Sequence, residues 1–114
     1  MVSSAVLGFP RIGAFRELKK NTEAYWAGKI DADQLLKVGK DIREKNWKLQ
    51  KDAGVDVIPS NDFSFYDQVL DLSILFNVIP ERYTKYELSQ LDTFFAMARG
   101  LQRKATETTK AVDV

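Results

Sequence analysis

The 114-residue sequence contains no cysteine and no histidine. Without cysteine there is no disulfide framework, which argues against the class of small secreted disulfide-rich proteins. Thiolate and imidazole are the usual ligands of protein-bound zinc, and this chain supplies neither. Ser–His and Cys–His nucleophile pairs are likewise excluded within the chain. Any acid–base chemistry of its own would therefore fall to Asp, Glu, Lys or Tyr.

The sequence also lacks a strong charge excess and long apolar runs. Its 17 Lys and Arg residues face 16 Asp and Glu residues, so the net charge is only +1. A dedicated nucleic-acid binder usually carries a marked basic excess. The apolar run near the N-terminus is too short for a signal-peptide core, and no run reaches the length of a membrane-spanning helix. We therefore expect a cytoplasmic protein with neither nucleic-acid nor membrane partners.

Short apolar runs alternate with helical periodicity along the chain. Ser4–Phe9 is an apolar run that ends at Pro10, and Val55–Ile58 is a second run that ends at Pro59. Both patterns predict buried strands. Apolar spacing predicts four helices, at about 16–27, 31–53, 65–76 and 89–99, with a capping box at Asp31 and Gln34 and a cap at Ser89 with Asp92. Asn77–Lys85 is expected to be irregular around Pro80.

This order of elements favours an α/β fold with parallel strands covered by helices. Two strands alone cannot close a parallel barrel, and they would leave long unpaired edges. The sequence is therefore interpreted as the opening portion of a larger α/β enzyme. Residues 101–114 have little apolar periodicity, which predicts a loop or a mobile tail.

Four cations cluster around the start of the first predicted helix: Arg11, Arg16, Lys19 and Lys20. Positive side chains are unfavourable there, because a helix N-terminus already carries partial positive charge. A bound anion would offset that cost through free backbone N–H groups and the side chains together. The alternative is a solvated basic turn with no role, and residue types alone do not exclude it.

A polar loop follows the second predicted strand and includes Ser60, Asn61 and Asp62. Ligands of parallel α/β folds bind at the C-terminal edge of the strands, so this loop and the basic turn are expected to share one cleft. Asp62 and Asp67 are candidate hydrogen-bond acceptors or bases. The alternative is that both are turn or helix-capping residues.

Three segments give the sequence a family likeness. SAVLGFPRIG followed by RELKK, and GVDVIPSNDFSFYDQVLD, resemble the opening of cobalamin-independent methionine synthases, and FAMARGLQRKATETTKAVDV resembles the fungal form. The likeness extends over nearly all of the chain. The two loops at their observed spacing are more specific together than either one is alone.

The resemblance implies an enzyme with two (βα)8 barrels. Residues 1–100 would form the first βα units of the N-terminal TIM barrel, residues 101–114 a tail, and the remainder would lie outside this chain. The intact enzymes move a methyl group from 5-methyltetrahydrofolate polyglutamate to homocysteine, giving methionine without cobalamin. Their zinc is held by His, Cys and Glu of the C-terminal barrel. We therefore expect a monomeric parent enzyme and an inactive isolated chain.

The resemblance also implies substrate-binding residues, but no catalytic or metal-binding residue in this chain. The family's folate-contacting stretch matches Arg16, Glu17, Leu18 and Lys19, with Lys19 the strongest candidate for the glutamate tail. Residues that would face the same cleft are Arg11, Ser60, Asn61 and Asp62. The competing hypothesis is a stand-alone anion-binding or structural module without catalysis.

Overall fold

Two long helices organise the first part of the chain in a computed structural model that describes residues 2–103 and 112–113. Helix α1 is Glu17–Trp26 and helix α2 is Ala32–Asp52. Both follow the predicted periodicity closely. The predicted capping box of α2 is confirmed, because the Gln34 N–H donates to Asp31 Oδ1 at 2.8 Å and the Asp31 N–H donates to Gln34 Oε1 at 2.9 Å.

Helix α1 packs against α2, and the residues between them form a small core. Leu18 and Thr22 are the buried residues of α1, and Leu35 and Ile42 are buried on α2. Their spacing of four residues on α1 and seven on α2 puts them on one face of each helix, as amphipathic helices require. This packing fixes the start of α1 relative to α2.

Gly39 lies buried in the middle of α2, beneath two aromatic rings. Phe63 and Phe65 pack edge to face, with ring centroids 5.4 Å apart. A Cβ atom at position 39 would lie 2.6 Å from Phe65 Cζ and 3.3 Å from Phe63 Cε1. The missing side chain of Gly39 therefore lets the 63–65 segment lie directly on the helix.

The two predicted strands do not form a sheet, so the expected α/β class and TIM-barrel portion are wrong for this structure. Ser4–Phe9 and Val55–Ile58 form one parallel bridge, between Ala5 and Val57, and hydrogen bonds of Ser4 with Asp56 and Val57 accompany it. Buried parallel strands need partners on their edges and cover on both faces. Here Leu7 is fully exposed and Val57 is 59% exposed, so that cover is missing.

Three further helices follow: α3 at Gln68–Leu75, α4 at Glu81–Thr84 and α5 at Gln90–Arg99. Ser89 caps α5 by accepting a hydrogen bond from the Asp92 N–H at 3.1 Å, as the sequence predicts. The single-turn helix α4 lies within a segment predicted to be irregular. Helix α5 packs against α3 and α4 and supplies most of the buried residues there.

The strands described in residues 2–103 and 112–113 are a two-residue pair, β1 (Gln102–Arg103) and β2 (Val112–Asp113), which run antiparallel. The rest of the predicted tail, residues 104–111 and 114, lies outside the described residues. The chain divides into two units, Met1–Phe65 and Tyr66–Val114. The predicted bounds, a first part at residues 1–100 and a tail at 101–114, stay a prediction.

Candidate anion-binding site

Arg16 occupies the N-cap of α1 in a left-handed backbone conformation, with φ 62° and ψ 34°. An L-residue there costs roughly 1–2 kcal/mol, so this geometry persists only when its surroundings impose it. The side chain is exposed and makes no capping hydrogen bond. The Arg16 side chain is therefore exposed and does not cap the helix.

Glu17, the next residue, turns its carboxylate back toward the preceding loop. The Phe15 N–H donates to Glu17 Oε2 at 3.0 Å. Hydrogen bonds from the backbone of Glu17 and Phe15 hold the pKa of this carboxyl below its usual value of 4.5, with smaller contributions from Lys45 and Lys20. The stabilisation is present above pH 4.5 and is lost as the pH falls through the lowered pKa.

The other two residues of the stretch have different environments. Leu18 is 5% exposed and belongs to the core, so its role is packing. Lys19 is half exposed, with its Nζ 3.7 Å from Glu23 Oε1. A surface pair of this kind contributes at most about 1 kcal/mol, so Lys19 remains available to a stronger anion. Glu23 is therefore a counter-charge to this group of cations.

A pocket of about 460 Å³ opens beside this turn, between the loop that precedes α1 and the facing side of α2. Its polar lining includes Glu17, Asp41 and Lys45, and the rest is largely apolar. Arg16 and Lys19 do not line it. The two exposed cations are therefore not part of the pocket lining.

The two predicted cleft loops do come together, through Asp62. Its Oδ2 accepts a hydrogen bond from the Phe9 N–H at 2.8 Å. Helix α2 secures both loops, because Asn46 Nδ2 donates to the Pro10 carbonyl at 3.2 Å and Trp47 Nε1 donates to the Pro59 carbonyl at 3.1 Å. The sequence did not predict that Asn46 and Trp47 bind the two loops, since a polar or aromatic residue inside a helix does not indicate which loop it contacts.

The remaining candidates are placed as follows. Ser60 and Asn61 are exposed in the second loop, and Arg11 is half-buried in the first. Asp67 accepts from the Val69 and Leu70 N–H groups at 2.8 and 3.2 Å, which makes it the N-cap of α3. The capping interpretation of Asp67 is therefore confirmed.

Comparison with known proteins decides the family. Residues 3–114 match the family model described as "Cobalamin-independent synthase, N-terminal domain". The chain belongs to this family. Relatives named "5-methyltetrahydropteroyltriglutamate--homocysteine methyltransferase" are 80% identical in Saccharomyces cerevisiae and 71% in Candida albicans, each over 100% of the chain. A third with that name, in Flavobacterium johnsoniae, is 61% identical over 94% of the chain.

The chain spans about 15% of the length of these relatives. The family likeness drawn from the sequence motifs is confirmed, including its fungal character. Among residues 2–103, no helix has both the length and the apolar character needed to cross a bilayer.

In this member of the family, Asp62→Ala is expected to lower the free energy of unfolding by about 1–3 kcal/mol, because the Phe9 N–H loses its acceptor. Asp62→Asn keeps a carbonyl oxygen at the same place and is expected to cost less. Urea denaturation of the two variants measures the difference. Equal stability of Asp62→Ala and the parent would show that the Asp62–Phe9 bond does not join the loops.

Proposed function

We propose that this chain is the N-terminal part of a methyltransferase that moves a methyl group from 5-methyltetrahydropteroyltriglutamate to homocysteine, forming methionine. The observation that carries the proposal is the 80% identity, over the whole chain, to the Saccharomyces cerevisiae protein named for that reaction. The proposal concerns the activity to which this segment contributes, since the chain covers 15% of that relative.

The proposed contribution of the segment is to bind the glutamate tail of the folate. Two features support it. Arg16 and Lys19 are both exposed, and they flank the start of α1, where the helix dipole favours anions. A triglutamate tail carries several carboxylates, which accept charge-assisted hydrogen bonds from such cations. Binding energy from this remote, non-reacting part of the substrate would help to orient the methyl group.

The zinc expected of the intact enzyme is proposed to be held by residues outside this chain. The 114 residues include no His and no Cys, and residues 2–103 contain no group of three acidic side chains placed to hold a metal ion. In the proposed enzyme, zinc bound by residues outside this segment would activate the homocysteine thiol. No residue of this chain is assigned to the chemical step. The cytoplasmic location, the monomeric state and the absence of cobalamin are part of the same proposal.

A chimera tests the proposal in a full-length context. This chain replaces the matching segment of the Saccharomyces cerevisiae relative, and methionine formation is assayed with triglutamate and monoglutamate forms of the folate. We expect activity close to that of the unmodified relative and a lower KM for the triglutamate. A folded chimera that retains folate triglutamate binding but forms no methionine would favour the anion-binding module without catalysis.

A further inference from the structure

We infer that Glu17 is a positioning residue, whose side chain holds the turn that presents Arg16 and does not itself contact the ligand. The inference rests on the proposed function, because it deepens the role of the same anion-binding turn. It separates the four residues of the expected folate-contacting stretch into different roles. Arg16 and Lys19 would meet the ligand, Leu18 anchors the helix, and Glu17 fixes the turn.

The first argument is electrostatic. A carboxylate that faced the site would repel the carboxylates of a glutamate tail, so an acidic residue between two tail-binding cations is unfavourable unless its charge is directed elsewhere. In the structure the Glu17 carboxylate is directed toward the backbone of its own turn, where the Phe15 N–H donates to it at 3.0 Å. It lines the pocket beside the turn, and the exposed cations do not.

The second argument is the geometry of the turn. The Arg16 N–H donates to the Gly13 carbonyl at 3.4 Å, and the Leu18 N–H donates to the Ile12 carbonyl at 3.1 Å. Arg16 lies between these bonds in the left-handed conformation, which an arginine does not adopt without support. The Glu17–Phe15 hydrogen bond ties the residues on either side of Arg16 together. Removing it would let Arg16 relax into ordinary backbone conformations and spread the guanidinium over many positions.

The third argument is the space reserved for the carboxylate. Gly13 has φ +86°, and a Cβ atom at that position would lie 2.0 Å from Glu17 Oε2 and 3.0 Å from Glu17 Cδ. No side chain at position 13 is compatible with the observed Glu17 rotamer. Gly13→Ala should therefore displace the carboxylate, and because of the positive φ it should also strain the backbone of the turn.

The charged groups around the carboxylate come from both helices. Lys20 lies on α1, and Lys45 and Asp41 lie on α2, where they line the same pocket as Glu17. The two lysines favour the charged form of Glu17, and the backbone donors favour it more strongly. Backbone donors and nearby lysines therefore both stabilise the charged form of the Glu17 carboxylate.

A double-mutant cycle in the chimera tests the inference. The KM for 5-methyltetrahydropteroyltriglutamate is measured for Glu17→Ala, Arg16→Ala and the double variant, with kcat and the KM for homocysteine as internal controls. We expect the triglutamate KM to rise about tenfold in Arg16→Ala and severalfold in Glu17→Ala, and the double variant to match Arg16→Ala. Glu17→Gln, which keeps an acceptor oxygen, should stay closer to the parent.

A matched control is Glu44→Gln, which removes the same charge from an exposed pair on α2 and should leave both KM values unchanged. Additive effects of Glu17→Ala and Arg16→Ala would overturn the inference, because they would mean that Glu17 acts without Arg16. An unchanged KM in Glu17→Ala, with a raised KM in Arg16→Ala, would overturn it while leaving the proposed function intact. Unchanged KM values in Arg16→Ala and Lys19→Ala would remove the proposed tail-binding site itself.

Discussion

Lys19→Ala is expected to raise the KM for 5-methyltetrahydropteroyltriglutamate by about tenfold in the chimera, and adding Arg16→Ala should bring the rise to about a hundredfold. A hydrogen bond to a charged group contributes about 1.5–3 kcal/mol, and about 1.4 kcal/mol is a factor of ten. The half-exposed position of Lys19 places it at the lower end of that range. The steady-state KM for the triglutamate measures this effect.

Two controls make the Lys19 and Arg16 result specific. Lys37→Ala removes one positive charge from an exposed pair on α2 and should leave the KM unchanged. The monoglutamate folate, which lacks the distal carboxylates, should respond much less to Lys19→Ala than the triglutamate does. Equal rises in KM for both substrates would mean that Lys19 contacts the folate ring system or acts through folding, contrary to the proposal.

Gly39→Ala is expected to destabilise the protein by about 1–2 kcal/mol, although alanine is the better helix former. The substitution gains up to about 1 kcal/mol in helix propensity. Against this, the new Cβ would lie 2.6 Å from Phe65 Cζ and 3.0 Å from Phe65 Cε1, and overpacking costs about 1–3 kcal/mol or more. Urea denaturation, monitored by far-UV circular dichroism, measures the change in the free energy of unfolding.

A second variant background shows whether the clash with Phe65 causes the loss of stability in Gly39→Ala. Phe65→Leu removes both of the clashing ring atoms while keeping an apolar side chain at that position. In this background, Gly39→Ala should become neutral or stabilising, since the gain in helix propensity is then opposed by the milder contact with Phe63 Cε1 at 3.3 Å. Continued destabilisation in the Phe65→Leu background would show that the clash with Phe65 is not the cause.

The helices could be predicted because their signals are local. The capping box of Asp31 and Gln34 and the cap at Ser89 depend on residues within one turn, and the structure forms each of them. Helix α4 was missed because a single turn after Pro80 carries too little periodicity to be distinguished from a loop.

The strands could not be decided from the sequence alone. The apolar run Ser4–Phe9 favours a buried strand, yet a strand also needs neighbours on its edges and cover on its faces. In the described residues, Ser4–Phe9 forms one bridge, from Ala5 to Val57, and Leu7 is exposed. The residue types show that the segment favours burial. They do not show whether neighbouring strands and covering helices are present to bury it.

The candidate site was predictable in its residue types but not in its division of roles. The cations at Arg16 and Lys19 are evident from charge and position, and the structure leaves both exposed. The inward orientation of Glu17 depends on the backbone of the preceding turn and on the space at Gly13. The spacing of residues does not predict either feature, because both depend on the backbone conformation of the turn around Arg16.

The most direct test of the tail-binding claim is an equilibrium titration of the chimera with folate triglutamate at two salt concentrations. If Arg16 and Lys19 meet the tail carboxylates, the affinity should fall steeply as salt rises, and the Arg16→Ala, Lys19→Ala double variant should bind weakly with little salt dependence. An affinity and a salt dependence that are the same in the parent and in the double variant would contradict the account.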